Sequence, residues 1–408
     1  MDDSKLVEIE AWLDTQGLSG TSETDLMNGF CARCLDAGIR LERANCFVDT
    51  LHPIYEGRVF LWRREGQVER AIIEYGSSQQ GESADNWQSS TFYRMLQRNE
   101  DEMRQFIGQI DTPEFRHLVT LKSEGCTDYL ALIHRFSNEG SIGEMDCFYS
   151  QWSTDAPDGF SEEELAAIRR LVRGLGLAIK CTSLSRIVQT LADVYLGHDA
   201  ARRVLAGRIN RGAAERMEAV LWYSDLRGYT RISDTAAPDE IIPMLNDYAE
   251  AVISSIHEAG GDVLKLIGDG TLAIFTNPRS AAACAAALKA ERLLRKKLKI
   301  LNQRRRAEGS PATDVYLGMH IGEVFYGNIG SDTRLDFTVV GPAVNEVSRI
   351  ASMCRSVDQT VLVSDSFAAA LPAKKRQALV SVGRFALRGV GRAQDLFTLE
   401  RTVAKPAG

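Results

Sequence analysis

Apolar and polar positions change their rhythm twice along this 408-residue chain. In the first 180 residues, helical and extended patterns alternate. Residues 26–41 repeat apolar side chains at three- and four-residue spacing and predict an amphipathic helix. Residues 59–62, 70–75, 129–136 and 146–152 are rich in aromatic and β-branched side chains and predict strands. A helix start follows at Phe160-Ser161-Glu162-Glu163-Glu164-Leu165. Ser161 is placed to cap it, Glu164 to reach back as the capping-box partner, and Phe160 to staple onto Leu165.

The second rhythm is a seam. Leu177, Cys181, Leu184, Val188, Leu191 and Tyr195 follow one another at spacings of four and three. That is the 3.5-residue period of a coiled coil. The alternatives are a helix packed on its own domain and a parallel dimer helix; the second is favoured. From Met217 the pattern changes again. Residues 219–223 form a short apolar run and 239–259 an amphipathic helix. Residues 263–267 and 271–275 flank Gly268-Asp269-Gly270, a hairpin by turn chemistry. Residues 280–301 predict an Ala-rich helix whose basic end reads as a solvated face. A strand at 315–321, a strand pair within 322–340 and a helix at 343–354 complete an α+β arrangement, a mixed sheet covered by helices. The domains expected are 1–180, a helical connector at 181–216, and 217–400.

Composition narrows the function. Hydrophobic content of 44% and charged content of 25% are those of a globular protein. A net charge of −7 argues against nucleic-acid binding. The sequence holds no apolar run of membrane-spanning length, and its start lacks the basic-then-apolar pattern of a signal peptide. A cytoplasmic protein is expected. The eight cysteines are sparse for a disulfide scaffold. Cys31 and Cys34 have CxxC spacing without a second pair, which points to packing rather than zinc. His52, His117 and His134 are the first region's candidates for haem or metal.

Three segments carry chemistry. In Ser224-Asp225-Leu226-Arg227-Gly228-Tyr229-Thr230, an acid ends an apolar strand and a glycine lets backbone approach a phosphate. In Asp262-Val263-Leu264-Lys265-Leu266-Ile267-Gly268-Asp269-Gly270, alternation sets Lys265, Ile267 and Asp269 on one side. A lysine and an acid on one side of an apolar strand are costly unless that side faces a polar site. In Asp336-Phe337-Thr338-Val339-Val340-Gly341-Pro342-Ala343-Val344-Asn345-Glu346-Val347-Ser348-Arg349, a strand turns into a helix. Asn345 and Arg349 then share one face, able to grip ribose and phosphate oxygens. Each segment alone also reads as ordinary turn or surface chemistry.

In this order and spacing, the three segments resemble the catalytic domain of class III adenylyl cyclases. The resemblance covers about 180 residues from Met217 to Leu399 and implies a ferredoxin-like core. It implies that Asp225 and Asp269, with the Leu226 carbonyl, hold two Mg²⁺ or Mn²⁺ ions, and that Lys265 reads adenine. Thr338 stands where many relatives carry an aspartate that pairs with that lysine; threonine is typical of a bacterial-type subclass, some of whose members respond to bicarbonate. Asn345 and Arg349 correspond to the residues that orient ribose and stabilise the transition state, and Arg388 lies near a triphosphate-binding position. The implied activity is conversion of ATP to cyclic AMP in a homodimer with composite sites. A guanylate cyclase and a silent nucleotide-binding module are the rivals. The strand-then-helix end of residues 1–180 is similar to a GAF-type sensor domain, which implies an unknown small-molecule, redox or gas signal.

Overall fold

The computed structural model describes residues 2–64, 71–76, 81–136, 143 and 145–400. It comprises two units, Met1–Leu191 and Ala192–Gly408. The sheet of the first unit contains β1 (Arg43–Asp49), β2 (Gly57–Arg63), β3 (Ile72–Tyr75), β4 (Glu102–Gln105), β5 (Asp128–Arg135) and β6 (Cys147–Thr154). Its order is β3-β2-β1-β6-β5-β4 and every pairing is antiparallel. Alternation gives each face its own core. Ala44, Cys46, Val48, Leu130, Leu132, Phe148 and Trp152 pack with the helices Asp3–Ser19, Glu23–Asp36 and Glu162–Leu196. Tyr129, Ala131, Ile133, Cys147 and Tyr149 face the opposite way, against Phe92, Met95, Ile107 and Leu118.

Cys31 and Cys34 are fully buried in the first of these cores, and burial raises both thiols. Burial also pushes His117 down to about 4 and lowers His134. Among the described residues, no group of three or more His, Cys, Asp or Glu side chains is arranged to hold a metal.

The helix Glu162–Leu196 begins as its first residues dictate. The Glu164 N–H donates to Ser161 Oγ at 3.3 Å, and the Ser161 N–H returns to Glu164 Oε2 at 2.8 Å. Phe160 and Leu165 both lie in the first core. The buried stripe of this helix runs through Ile168, Leu171, Leu175, Ile179 and Ile187. Of the seam residues, Leu184 and Leu191 pack at the margin of that core, while Leu177, Cys181, Val188 and Tyr195 are exposed. The helix stops at Leu196, because Gly197 takes φ +83°. A short helix, His198–Leu205, follows.

In the second unit the strands are β7 (Ala214–Leu226), β8 (Asp262–Ile267), β9 (Gly270–Phe275), β10 (Val315–Ser331), β11 (Arg334–Val340), β12 (Val361–Ser364), β13 (Leu379–Phe385) and β14 (Gln394–Leu399). The order is β13-β14-β12-β10-β7-β9-β8, with β11 paired to β10. The sheet is mixed, since β10 and β12 run parallel and the other pairs antiparallel. The helices Pro238–Glu258 and Ser280–Ala307 cover one face, over Val220, Trp222, Ala273, Phe275, Leu317 and Met319. The helices His198–Leu205 and Pro342–Ser356 cover the other, over Leu221, Leu272, Ile274, Val324 and Tyr326. This is the α+β architecture expected of the region.

One sequence expectation needs correction. A strand at 315–321 and a strand pair within 322–340 are in fact one long strand, β10, followed by β11. Gly322 breaks nothing because it continues the ladder opposite Ala219. A Cβ there would come within 2.8 Å of the Ala343 Cβ and 3.0 Å of His320 Nε2, so glycine serves close packing rather than a turn.

Candidate active site

β7 delivers Asp225 near its end, and the β8–β9 hairpin delivers Asp269. Gly268, at φ +61°, supplies the left-handed position that this tight turn requires. The two carboxylates meet. The Leu226 N–H donates to Asp269 Oδ2 at 3.3 Å. Burial, then the hydrogen bond and charge of Asp269, push Asp225 up to about 6; the Leu226 N–H opposes them. Among the described residues, no lysine or arginine pairs with either acid. Both line a cavity of about 210 Å³ that also takes in Ser224, Leu226, Asn246 and Thr271.

The chain after Leu226 is held from several sides. The Arg227 N–H donates to the Asp314 carbonyl at 2.8 Å, and Thr313 Oγ1 donates to the Arg227 carbonyl at 2.5 Å. Tyr248 accepts from the Thr313 N–H at 2.7 Å. Two adjacent acids lining one cavity, with no lysine or arginine paired to them among the described residues, fit hard divalent ions, which take carboxylate and carbonyl oxygens. The Leu226 carbonyl is the backbone acceptor at that place.

Lys265 lies on β8 and turns to a different neighbourhood. A bulge between Val263 and Lys265 shifts the register: Val263 opposes Ala273, while Lys265 opposes Leu272. Ala273 faces the Trp222 core and Leu272 the Tyr326 core. Leu264 and Lys265 therefore both face the β11 side. There the Lys265 ammonium makes an ion pair with Asp336. Thr338 is buried two residues further along β11. Asp336 was inside the quoted motif without a role; strand alternation places it on the same face as Thr338, which was the signal available.

Asn345 and Arg349 are both exposed on the helix Pro342–Ser356, whose opposite side is buried through Ala343, Val347 and Ile350. Asn345 lines a second cavity, of about 630 Å³, with Val339, Gly341, Pro342, Glu346 and the turn Gly389–Val390–Gly391. Arg388 is exposed immediately before that turn. The two cavities share no lining residue. One chain thus brings Asp225 and Asp269 together, and separately sets Asn345 against the 388–391 loop.

Behind the second cavity lies a polar cluster that sequence reasoning passed over. His320 is 7% exposed. Its Nδ1 is 2.9 Å from Ser364 Oγ, and its Nε2 is 3.3 Å from Glu346 Oε2. Burial holds the imidazole below its usual pKa, against the pull of Glu346. Gln394 Nε2 donates to the same Glu346 oxygen at 2.9 Å.

Comparison with known proteins follows the boundary of the second unit. Residues 213–400 match the model of the adenylate and guanylate cyclase catalytic domain. The match takes in a little under half of the chain. The chain is 35% identical over 162 residues to an adenylate cyclase of Anabaena cylindrica, covering 39% of this chain and 32% of that protein. It is 28% identical over 182 residues to adenylate cyclase 1 of Rhizobium meliloti, covering 43% and 27%. The matches to these curated relatives thus span about a third of their length or less. The crystal structure of the adenylyl cyclase CyaB from P. aeruginosa is 24% identical, with a TM-score of 0.42, covering 47% of this chain and all of that one. Among the described residues, no helix is long and apolar enough to cross a membrane.

Proposed function

We propose that the cyclase domain converts ATP to 3′,5′-cyclic AMP and pyrophosphate, in a homodimer whose two sites each draw on both chains. The observation that carries this reading is the meeting of Asp225 and Asp269 at a cavity, with no cationic side chain paired to either among the described residues. In the reaction, the ribose 3′-oxygen bonds to the α-phosphorus, the bond to the pyrophosphate oxygen breaks, and the 3′-proton leaves. Asp225, Asp269 and the Leu226 carbonyl would hold Mg²⁺ or Mn²⁺, which when bound favours the 3′-alkoxide and neutralises triphosphate charge. Asn345 orients the ribose, so that the attacking oxygen lies in line with the leaving group. Arg349 meets charge that grows on the α-phosphoryl oxygens, and Arg388 binds the outer phosphates.

The separation of the two cavities supports the dimer. Acids and ribose-side residues of one chain line different openings, so a complete site needs the acids of one copy and the helix Pro342–Ser356 of another. Mixing Asp225→Ala chains with Arg349→Ala chains tests this. Heterodimers then contain one intact site, and activity returns to about a quarter of wild type for random pairing. A mixture that forms heterodimers yet stays as inactive as its parents rejects the shared site.

Lys265 supports ATP over GTP. Adenine presents an acceptor at N1 and a donor at its 6-amino group. A lysine donor beside an aspartate acceptor, Asp336, complements that pair, with the Thr338 hydroxyl close along the strand. Guanine presents the reverse at the equivalent positions, a donor at N1 and an acceptor at O6. Cyclic product from ATP and from GTP, measured with Mn²⁺, decides the preference; faster turnover of GTP makes the domain a guanylate cyclase. Residues 1–180 are proposed as a GAF-like regulatory domain in a cytoplasmic protein. Comparing the full chain with residues 192–408 tests regulation: equal rates and equal dimerisation remove that role.

A further inference from the structure

We propose that Glu346 is a positioning residue that locks two walls of the nucleotide-side cavity together. The inference rests on the cyclase reading above. One wall is the helix Pro342–Ser356, which carries Asn345 and Arg349; the other is the 388–391 turn leading into β14. Glu346 is on the helix, next to Asn345. Its Oε2 accepts from Gln394, the first residue of β14, at 2.9 Å. It also meets His320 Nε2 at 3.3 Å, from the sheet beneath. A single carboxylate oxygen therefore joins the helix, the sheet and the strand that follows the loop.

Ser364 Oγ accepts from the Phe367 N–H at 3.2 Å and also lies 3.0 Å from Ser366 Oγ, which is 3.3 Å from His320 Nδ1. A neutral imidazole that accepts at Nδ1 carries its proton on Nε2 and points it at Glu346. Ser366 Oγ donates to the Ile321 carbonyl at 3.2 Å and closes the cluster. Glu346, His320, Gln394, Ser364 and Ser366 are each paired within this cluster, and such buried networks define one geometry at high cost for any other. Neither His320 nor Gln394 lines the cavity, so the cluster acts through what Glu346 holds rather than by touching substrate.

Steady-state kinetics of four full-length variants with Mn²⁺ and ATP tests the lock. Glu346→Ala is expected to lower kcat about tenfold and raise KM about fivefold, since both walls loosen. Gln394→Ala frees only the loop side and raises KM about fivefold with kcat within about twofold. Glu346→Gln keeps an acceptor oxygen and stays within about twofold of wild type. The double variant Glu346→Ala/Gln394→Ala is no worse than Glu346→Ala alone, because both changes remove one shared contact. Melting temperatures accompany each assay. If Glu346→Ala does not fold, the split between Glu346→Gln and Gln394→Ala still decides. The lock is overturned if Glu346→Ala matches wild type, if Glu346→Gln falls as far as the alanine variant, or if the two alanine effects multiply. Wild-type protein that forms no cyclic nucleotide overturns the cyclase reading itself, and the lock with it; wild-type turnover with unchanged variants overturns the lock alone.

Discussion

Each unit sets an acid at the end of a strand, fully buried in the first and half-buried in the second, and the two are treated in opposite ways. In the first unit, Asp128 on β5 is 0% exposed. Its carboxylate accepts from Arg104 Nη2 at 2.8 Å, from the Phe160 N–H at 3.0 Å and from the Tyr129 N–H at 2.9 Å. Gly159, at φ +69°, lets the chain pass so close that a Cβ there would lie 2.6 Å from Asp128 Oδ2. In the second unit, Asp225 has another acid for its neighbour, and burial drives its pKa upward. The chain supplies Asp128 with all its counter-charge and leaves Asp225 to something that arrives from outside. A buried charge that the fold compensates is structural; one that the fold leaves wanting marks a place for a ligand.

Four measurements put this contrast to the test. The largest effect is expected for Asp128→Ala, which leaves the Phe160 and Tyr129 N–H groups without this acceptor, while Arg104 keeps Glu162 and the Phe160 carbonyl. Denaturant unfolding of the first unit's transition should show a loss of about 3–5 kcal/mol, from two buried donors left unsatisfied. Next, Asp225→Asn should cut cyclic-nucleotide formation by about a hundredfold or more, near 2.7 kcal/mol of barrier, while the melting temperature stays level or rises as repulsion disappears. An Asp225→Asn protein that melts like Asp128→Ala would erase the distinction. Third, saturating Mn²⁺ should stabilise the wild-type second unit by about 2.7 kcal/mol at a hundred times Kd, with EDTA reversing the shift and Asp225→Asn showing none.

Fourth and smallest is an effect of acid on Glu164. Burial alone would raise this carboxyl, but hydrogen bonds from Arg40 and Ser161 outweigh it and hold the pKa at about 2. A depressed folded-state value gives stability that is present above the unfolded pKa and is lost as pH falls towards 2. Glu164→Gln should therefore lower first-unit stability by about 2 kcal/mol at neutral pH, and the gap from wild type should close in acid. A gap that persists unchanged at pH 2 would show that the carboxylate charge contributes nothing.

What the sequence revealed and what it hid divide along physical lines. The capping box of Ser161 and Glu164 and the Gly268-Asp269 turn were legible because their hydrogen bonds close within a few residues. The three segments that resemble a cyclase were legible because each sets its acid, lysine, amide or guanidinium near a strand end or on one helix face, a pattern read within a few residues. Gly322 misled because close packing against Ala343 leaves the same mark in a sequence as a turn. Asp336 and Glu346 stayed silent because their partners, Lys265, His320 and Gln394, are 71, 26 and 48 residues away. Only pairing across the sheet brings these together.

The bulge in β8 makes one strand serve two masters. Ahead of it, Asp262 Oδ2 accepts from the Asp199 N–H at 2.8 Å and fastens the helix His198–Leu205; beyond it, Lys265 reaches Asp336. Deleting Leu264 would restore regular pleating and leave Lys265 opposite Leu272, still aimed at Asp336. It would also take an apolar side chain out of the cluster that Leu264 shares with Ala200 of that helix. The extra residue thus fits one more apolar side chain beneath the helix while the lysine keeps its direction.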